Sequence, residues 1–145
     1  MTIPFFCFCQ LRTVGFSDWE IWQHRNPKPT IIHLYTEWCS VCKVEQFKLD
    51  KDQPLLEFIN DHFYFIPFEA EKTMETIRLQ GKTFRYFSNG NSGIHELALA
   101  LSRNKSRPVY PLWIILDKNQ DLIEYHEGIF LPEELKKKLL EIPDF

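Results

Sequence analysis

The sequence predicts an α/β domain with a mixed central sheet flanked by helices. Three observations carry this. Apolar, β-branched runs of strand length (residues 30–36, 63–68 and 110–116) alternate with stretches of helical character. The 145 residues suit one domain, with no repeat, low-complexity tract or linker long enough for a second. A composition of 44% hydrophobic and 15% aromatic residues supplies a core and excludes a disordered chain. The net charge of −3 provides no basic footprint for nucleic acid. No apolar run approaches the ~20 residues that span a bilayer.

The elements follow in order. Residues 1–9 are apolar and place Cys7 and Cys9 with the spacing of a signal-peptidase site, although no basic residue precedes Arg12. They are read as the remnant of a secretory signal, which leaves a domain of residues 10–145 in the periplasm or secreted; without that signal the protein is cytoplasmic. Residues 15–25 read as a helix with Ser17 and Glu20 as a capping box and Trp19 and Trp22 on neighbouring parts of one face. Asn26-Pro-Lys-Pro29 stops it. Residues 30–36 are a buried strand, and Glu37-Trp-Cys-Ser-Val-Cys-Lys43 leads from it into a helix carrying Val44, Phe47 and Leu49. Residues 55–60 add a helical turn or two with Leu56 and Ile59 inward. Residues 63–68 form a second strand in which Pro67 marks an edge or a bulge, and Phe63, Phe65 and Phe68 are core.

An insert follows. Residues 77–87 alternate about Gln80-Gly81-Lys82 as a hairpin, 88–93 form a loop, and 94–102 form a helix. The insert carries Phe84, Tyr86 and Phe87, which suits contact with a dedicated partner. Residues 110–116 make a third strand and 122–125 a fourth. Residues 132–142 close the chain as a helix with Pro132 in its first turn and Lys136, Lys137 and Lys138 on a solvated face.

The chemistry centres on Cys39 and Cys42. Only a thiolate attacks a disulfide, and a cysteine in the first turn of a helix is favoured as thiolate by unsatisfied N–H groups and the macrodipole. Cys39 has that place, and Cys42 lies about one turn later on the same face. The pair can form a mixed disulfide through Cys39 and release it through Cys42, while Trp38 shields one side. A structural pair or half a zinc site are the other readings. Zinc wants four ligands, yet there is no second Cys-x-x-Cys, and the five histidines at 24, 33, 62, 95 and 126 lack ligand spacing. His95-Glu96 resembles the start of a metalloprotease motif, but Leu99 stands where the second histidine belongs.

Tyr35-Thr-Glu-Trp-Cys-Ser-Val-Cys-Lys43 and Tyr110-Pro-Leu-Trp-Ile-Ile-Leu-Asp117 resemble the active-site motif and the cis-proline strand of the thioredoxin-like superfamily. The stretch from Gly81-Lys82-Thr83 to His95-Glu-Leu-Ala98 is similar to an insert in secreted thioredoxin-like proteins of Bacteroidetes-type bacteria. The resemblance covers residues 16–142. It implies a thioredoxin-like fold, Cys39 as nucleophile and Cys42 as resolving thiol. It further implies that Pro111, rather than Pro108, is in cis, excluding metal from the thiols and presenting the Tyr110 backbone to an extended substrate peptide. No cofactor or metal is implied; the partners are protein or peptide disulfides and thiols and a redox partner that resets the cysteines, with the protein itself a monomer.

The chain departs from the thioredoxin pattern in places. His33 stands where the superfamily usually has a buried acid, six residues before the nucleophile. It is a candidate proton acceptor for Cys42, with a hydrogen-bonded core histidine as the other reading. Glu37 and Glu69 are candidates for the missing carboxylate. Ser40-Val41 replaces the Gly-Pro of thioredoxin, so the direction of electron flow is not inherited, and Tyr110 is bulkier than usual before the cis-proline. The expectation is a thiol–disulfide oxidoreductase, preferentially reducing, that binds substrate through Trp38, Tyr110 and Pro111. An isomerase or oxidant, a non-enzymatic interaction module and a metal chaperone are the alternatives.

Overall fold

A computed structural model describes residues 2–4, 8–103 and 105–143; Cys7, part of the expected signal remnant, lies outside them. Helix α1 (Phe16–Arg25) is followed by strand β1 (Thr30–Tyr35), helices α2 (Ser40–Asp50) and α3 (Gln53–His62), and strand β2 (Tyr64–Glu69). Strands β7 (Leu112–Leu116) and β8 (Leu122–Glu127) and helix α5 (Pro132–Leu140) end the chain. The central sheet has the order β2-β1-β7-β8. β1 runs parallel to β2, while β1 with β7 and β7 with β8 are antiparallel, so the sheet is mixed.

Alternation along the strands builds a core on each face. Ile32, Leu34, Ile66, Phe68, Leu112 and Ile114 face one way, against Phe16 and Trp19 of α1 and against Leu97 further along. Ile31, Phe65, Trp113 and Ile115 face the other, against Leu49, Leu55, Ile59, Leu135 and Leu139 of α2, α3 and α5. Phe63, Phe65 and Phe68 are all buried. The indole of Trp19 donates to Thr30 Oγ1 at 2.8 Å, tying α1 to the start of β1.

β2 lies at an edge, as Pro67 suggests. Leu11 and Cys9 pack on the α3 side of the core, and Val14 N–H donates to the Phe65 carbonyl at 3.0 Å. The α1 cap differs from expectation. Gly15 is the N-cap and makes no side-chain cap hydrogen bond, because the helix starts at Phe16 and Ser17 lies inside its first turn. Trp22 is half exposed, unlike Trp19.

The insert is two small hairpins and a short helix. Strands β3 (Ile77–Leu79) and β4 (Lys82–Phe84) pair across a two-residue turn at Gln80 and Gly81, both with positive φ. That is the turn whose twist suits a tight hairpin, and glycine supplies one of its two left-handed positions freely. Strands β5 (Tyr86–Ser88) and β6 (Gly93–His95) pair next, and helix α4 (Glu96–Leu101) follows. The helix expected from residue 94 therefore begins at Glu96, because Gly93, Ile94 and His95 are taken up by pairing with Ser88, Phe87 and Tyr86. His95 caps α4. Its Nδ1 accepts the Leu97 N–H at 3.1 Å and its Nε2 meets the Glu75 carbonyl at 2.8 Å, so Nε2 carries the hydrogen.

Candidate active site

β1 ends at Tyr35, and four residues later Cys39 becomes the N-cap of α2. Its Sγ accepts the Cys42 N–H at 3.1 Å. The sulfur thus takes one of the orphan donors that every helix N-terminus leaves, and the macrodipole favours negative charge there. Cys39 and Cys42 are joined as a disulfide, with Cα atoms 5.2 Å apart. Both residues are only 5% exposed. Attack must therefore come through a narrow approach.

Trp38 frames that approach. It is 66% exposed, its indole donates to Glu71 Oε2 at 2.6 Å, and its ring meets Tyr110 edge-on at 6.1 Å. The Tyr110–Pro111 peptide bond is cis; Pro111 is buried, and its carbonyl accepts the Gly128 N–H at 2.8 Å. Beyond Trp38 and Tyr110 a groove of ≈ 500 Å³ continues to Phe87 and Ile94 of the second insert hairpin, with Glu71 and Arg107 on its walls. The Tyr110 hydroxyl is buried without a hydrogen-bond partner among the described residues. Burial first, and then the charges of Glu71 and Glu69, pushes that phenol up well beyond its ordinary range.

A second cleft, of ≈ 400 Å³, reaches Cys42 and is lined by His33, Thr36, Glu37, Cys42 and Lys43, among others. It brings His33 and the second cysteine onto one cavity. His33 is buried and packs on Trp113 at 4.4 Å between ring centroids. Its Nε2 lies 2.7 Å from Glu45 Oε1. Glu45 is 1% exposed, and its other oxygen accepts the Trp113 indole N–H at 2.8 Å and the Phe130 backbone N–H at 2.7 Å. Every oxygen of this buried carboxylate is satisfied, as burial requires.

The carboxylate beside His33 is thus neither Glu37 nor Glu69. Glu37 is exposed and pairs with Lys72. Glu69 accepts the Glu71 N–H at 2.8 Å; burial, together with the charges of Glu37 and Glu71, holds its carboxyl above the usual range. Glu45 was legible in principle. Cys42, Glu45 and Leu49 are the buried residues of α2, three and four apart, which is the spacing of one helix face. Val44 and Phe47, the apolar residues that mark the helix in the sequence, are exposed.

No family model and no curated protein matches the chain. Solved structures do. A DsbH oxidoreductase superposes with a TM-score of 0.63 at 10% identity, over 98% of this chain and 93% of its own. A thioredoxin from Thermus thermophilus gives 0.61 at 13% identity, over 90% of this chain and 85% of that one. An exposed lipoprotein thioredoxin of Streptococcus pneumoniae gives 0.53 at 15% identity, over 88% and 90%. The fold is thioredoxin-like, with an insert before β7.

Proposed function

We propose that this domain is a thiol–disulfide oxidoreductase that reduces protein disulfides outside the cytoplasm. The observation that carries the reading is the Cys39–Cys42 pair at the N-terminus of α2, with Cys39 Sγ on the Cys42 N–H and a groove that begins at the preceding residue, Trp38. In the reduced state the Cys39 thiolate attacks one sulfur of a substrate disulfide, forming a mixed disulfide and releasing the other sulfur as a thiolate. Cys42 then loses its proton to His33, and its sulfur attacks Cys39 Sγ. The Cys39–substrate bond breaks, its electron pair leaves on the substrate sulfur, and that sulfur takes the proton held by His33. The first released thiolate takes its proton from solvent, so the substrate has gained two electrons and two protons, and the enzyme is left as the disulfide. A redox partner resets it by the reverse steps.

Substrate lies as an extended segment along Trp38 and Tyr110, with the main chain next to Pro111 as the pairing edge; strand addition of this kind reads backbone and tolerates many sequences. An extracytoplasmic site of action is supported by the apolar opening of residues 1–9 and by the exposed lipoprotein among the structural neighbours. Among the described residues no helix is long and apolar enough to cross a membrane.

The test is to equilibrate the pair in defined thiol buffers and to trap substrates. A reduction potential near or below about −240 mV supports reduction, and one near or above roughly −180 mV makes the domain an isomerase or oxidant. Cys42→Ser is expected to accumulate mixed disulfides that Cys39→Ser does not. Identical partners from both variants, with no reversible disulfide at any potential, would leave a non-enzymatic interaction module.

A further inference from the structure

The His33–Glu45 contact has a defined proton arrangement. An indole N–H and a backbone N–H can only donate, so Glu45 Oε2 accepts from both Trp113 and Phe130. The one proton shared with His33 therefore lies between Glu45 Oε1 and His33 Nε2, 2.7 Å apart. A carboxylate at Glu45 accepts on that side too, which puts the hydrogen on Nε2 and leaves the imidazole lone pair on Nδ1. The ring is not free to turn: Trp113 packs on it at 4.4 Å, and Tyr35 and Phe65 flank it at 5.9 and 6.0 Å.

We propose that Glu45 is a positioning residue for the second half of the exchange. It holds the hydrogen on His33 Nε2 and keeps Nδ1 as the acceptor for the Cys42 thiol proton across the cleft that both residues line. The inference rests on the dithiol–disulfide reading above. When Nδ1 takes the proton the imidazole becomes a cation, and Glu45 faces it with a negative charge already desolvated and oriented by two other donors. A base so held needs no reorganisation at the moment of transfer. Cys42 Sγ then attacks Cys39 Sγ, and the proton on His33 is available to the departing substrate sulfur. Atoms and electrons balance as in the cycle above. The other ionisable groups on this cleft are Tyr35 and Glu37 from the end of β1 and Lys43 from α2; Phe65 and Pro67 of β2 and Trp113 of β7 bring no charge to it.

The carboxamide introduced by Glu45→Gln inverts this arrangement at constant shape. Its oxygen can still accept from Trp113 and Phe130, but its nitrogen must donate to His33 Nε2, which moves the ring hydrogen to Nδ1. The experiment uses the full chain with Cys7→Ser and Cys9→Ser, so that only the active pair reacts. The reduced protein is mixed with dithiobis(nitrobenzoate): the first thionitrobenzoate released reports attack by Cys39, and the second reports resolution by Cys42. Glu45→Gln is expected to slow the second release about tenfold or more and to leave the first within about twofold. The slowed phase becomes proportional to hydroxide concentration across the neutral range. Imidazole ¹⁵N shifts are expected to show the hydrogen of His33 on Nε2 in the parent protein and on Nδ1 in the variant. A parent hydrogen on Nδ1 overturns the proposal, and that measurement decides the matter even where the variant does not fold. A folded variant with an unchanged second release overturns it too. Absence of a second release from the parent protein overturns the dithiol reading, and the proposal with it.

Discussion

His95 shows how a single side chain can look catalytic in sequence and be architectural in space. It is fully buried, accepts the Leu97 N–H that opens α4, and reaches back to the Glu75 carbonyl before the insert. One imidazole thus satisfies a helix donor and a loop acceptor that burial has cut off from water. His95→Ala leaves both unpaired next to Phe68, whose ring meets the imidazole edge-on at 5.4 Å. The expected loss is about 2–4 kcal/mol of unfolding free energy, from a lost cap, an orphaned acceptor and a cavity. Denaturant unfolding checks this; a loss below about 0.5 kcal/mol would show that the insert relaxes around the gap.

At the scale of elements, the sheet and its flanking helices were legible because their signals are local. Prolines at 27 and 29 bound β1, the apolar runs of β1, β2 and β7 are short and uninterrupted, and Pro132 opens α5. The cysteine pair was legible for the same reason, as a turn between a strand and a helix. What escaped the sequence is what depends on distant partners. Glu45 is surrounded in the chain by Val44 and Gln46, and its burial is set by Trp113 and Phe130, far along the chain. The β5–β6 hairpin escaped because its strands are three residues each and its loop reads as polar coil.

That hairpin is the element with a functional forecast attached. Phe87 is 64% exposed and stands on the groove that begins at Trp38 and Tyr110. Gly93 opposite Ser88 leaves room for the Tyr86 ring, whose hydroxyl a Cβ there would meet at 1.9 Å. Phe87→Ala removes an apolar contact at the groove without touching either core. Turnover of a protein disulfide is expected to show KM raised about three- to tenfold with kcat little changed, while a small disulfide reagent reacts at the parent rate. Equal KM for both proteins would place the insert outside substrate binding.

For the molecule as a whole, four phenols set the alkaline limit. Burial is the largest cause raising each of Tyr35, Tyr64, Tyr110 and Tyr125, and Tyr125, which also donates to Glu127, is pushed up to about 12. An unfolded phenol ionises near pH 10, so above that the folded chain binds more protons than the unfolded one. Stability from these groups is complete below about pH 10 and is lost as pH rises through the folded values. Denaturation midpoints are expected to fall continuously as pH rises from about 10 to about 12; a flat profile would mean that the four rings are solvated before unfolding.

The margins of the sheet have a consequence for the company this protein keeps. The outer side of β2 offers little to a passing strand: the Phe65 carbonyl is taken by Val14 N–H, and Pro67, next on that side, has no N–H to give. At the opposite margin β8 carries Glu124 and Glu127, paired with Lys138 and Lys105, and its ladder slips between Ile115 and Leu116. Charges, proline and irregular register are what keep neighbouring chains from zipping onto a sheet. Both margins of the sheet are thereby closed to strand addition, which leaves main-chain pairing with another chain to the neighbourhood of the cis-proline.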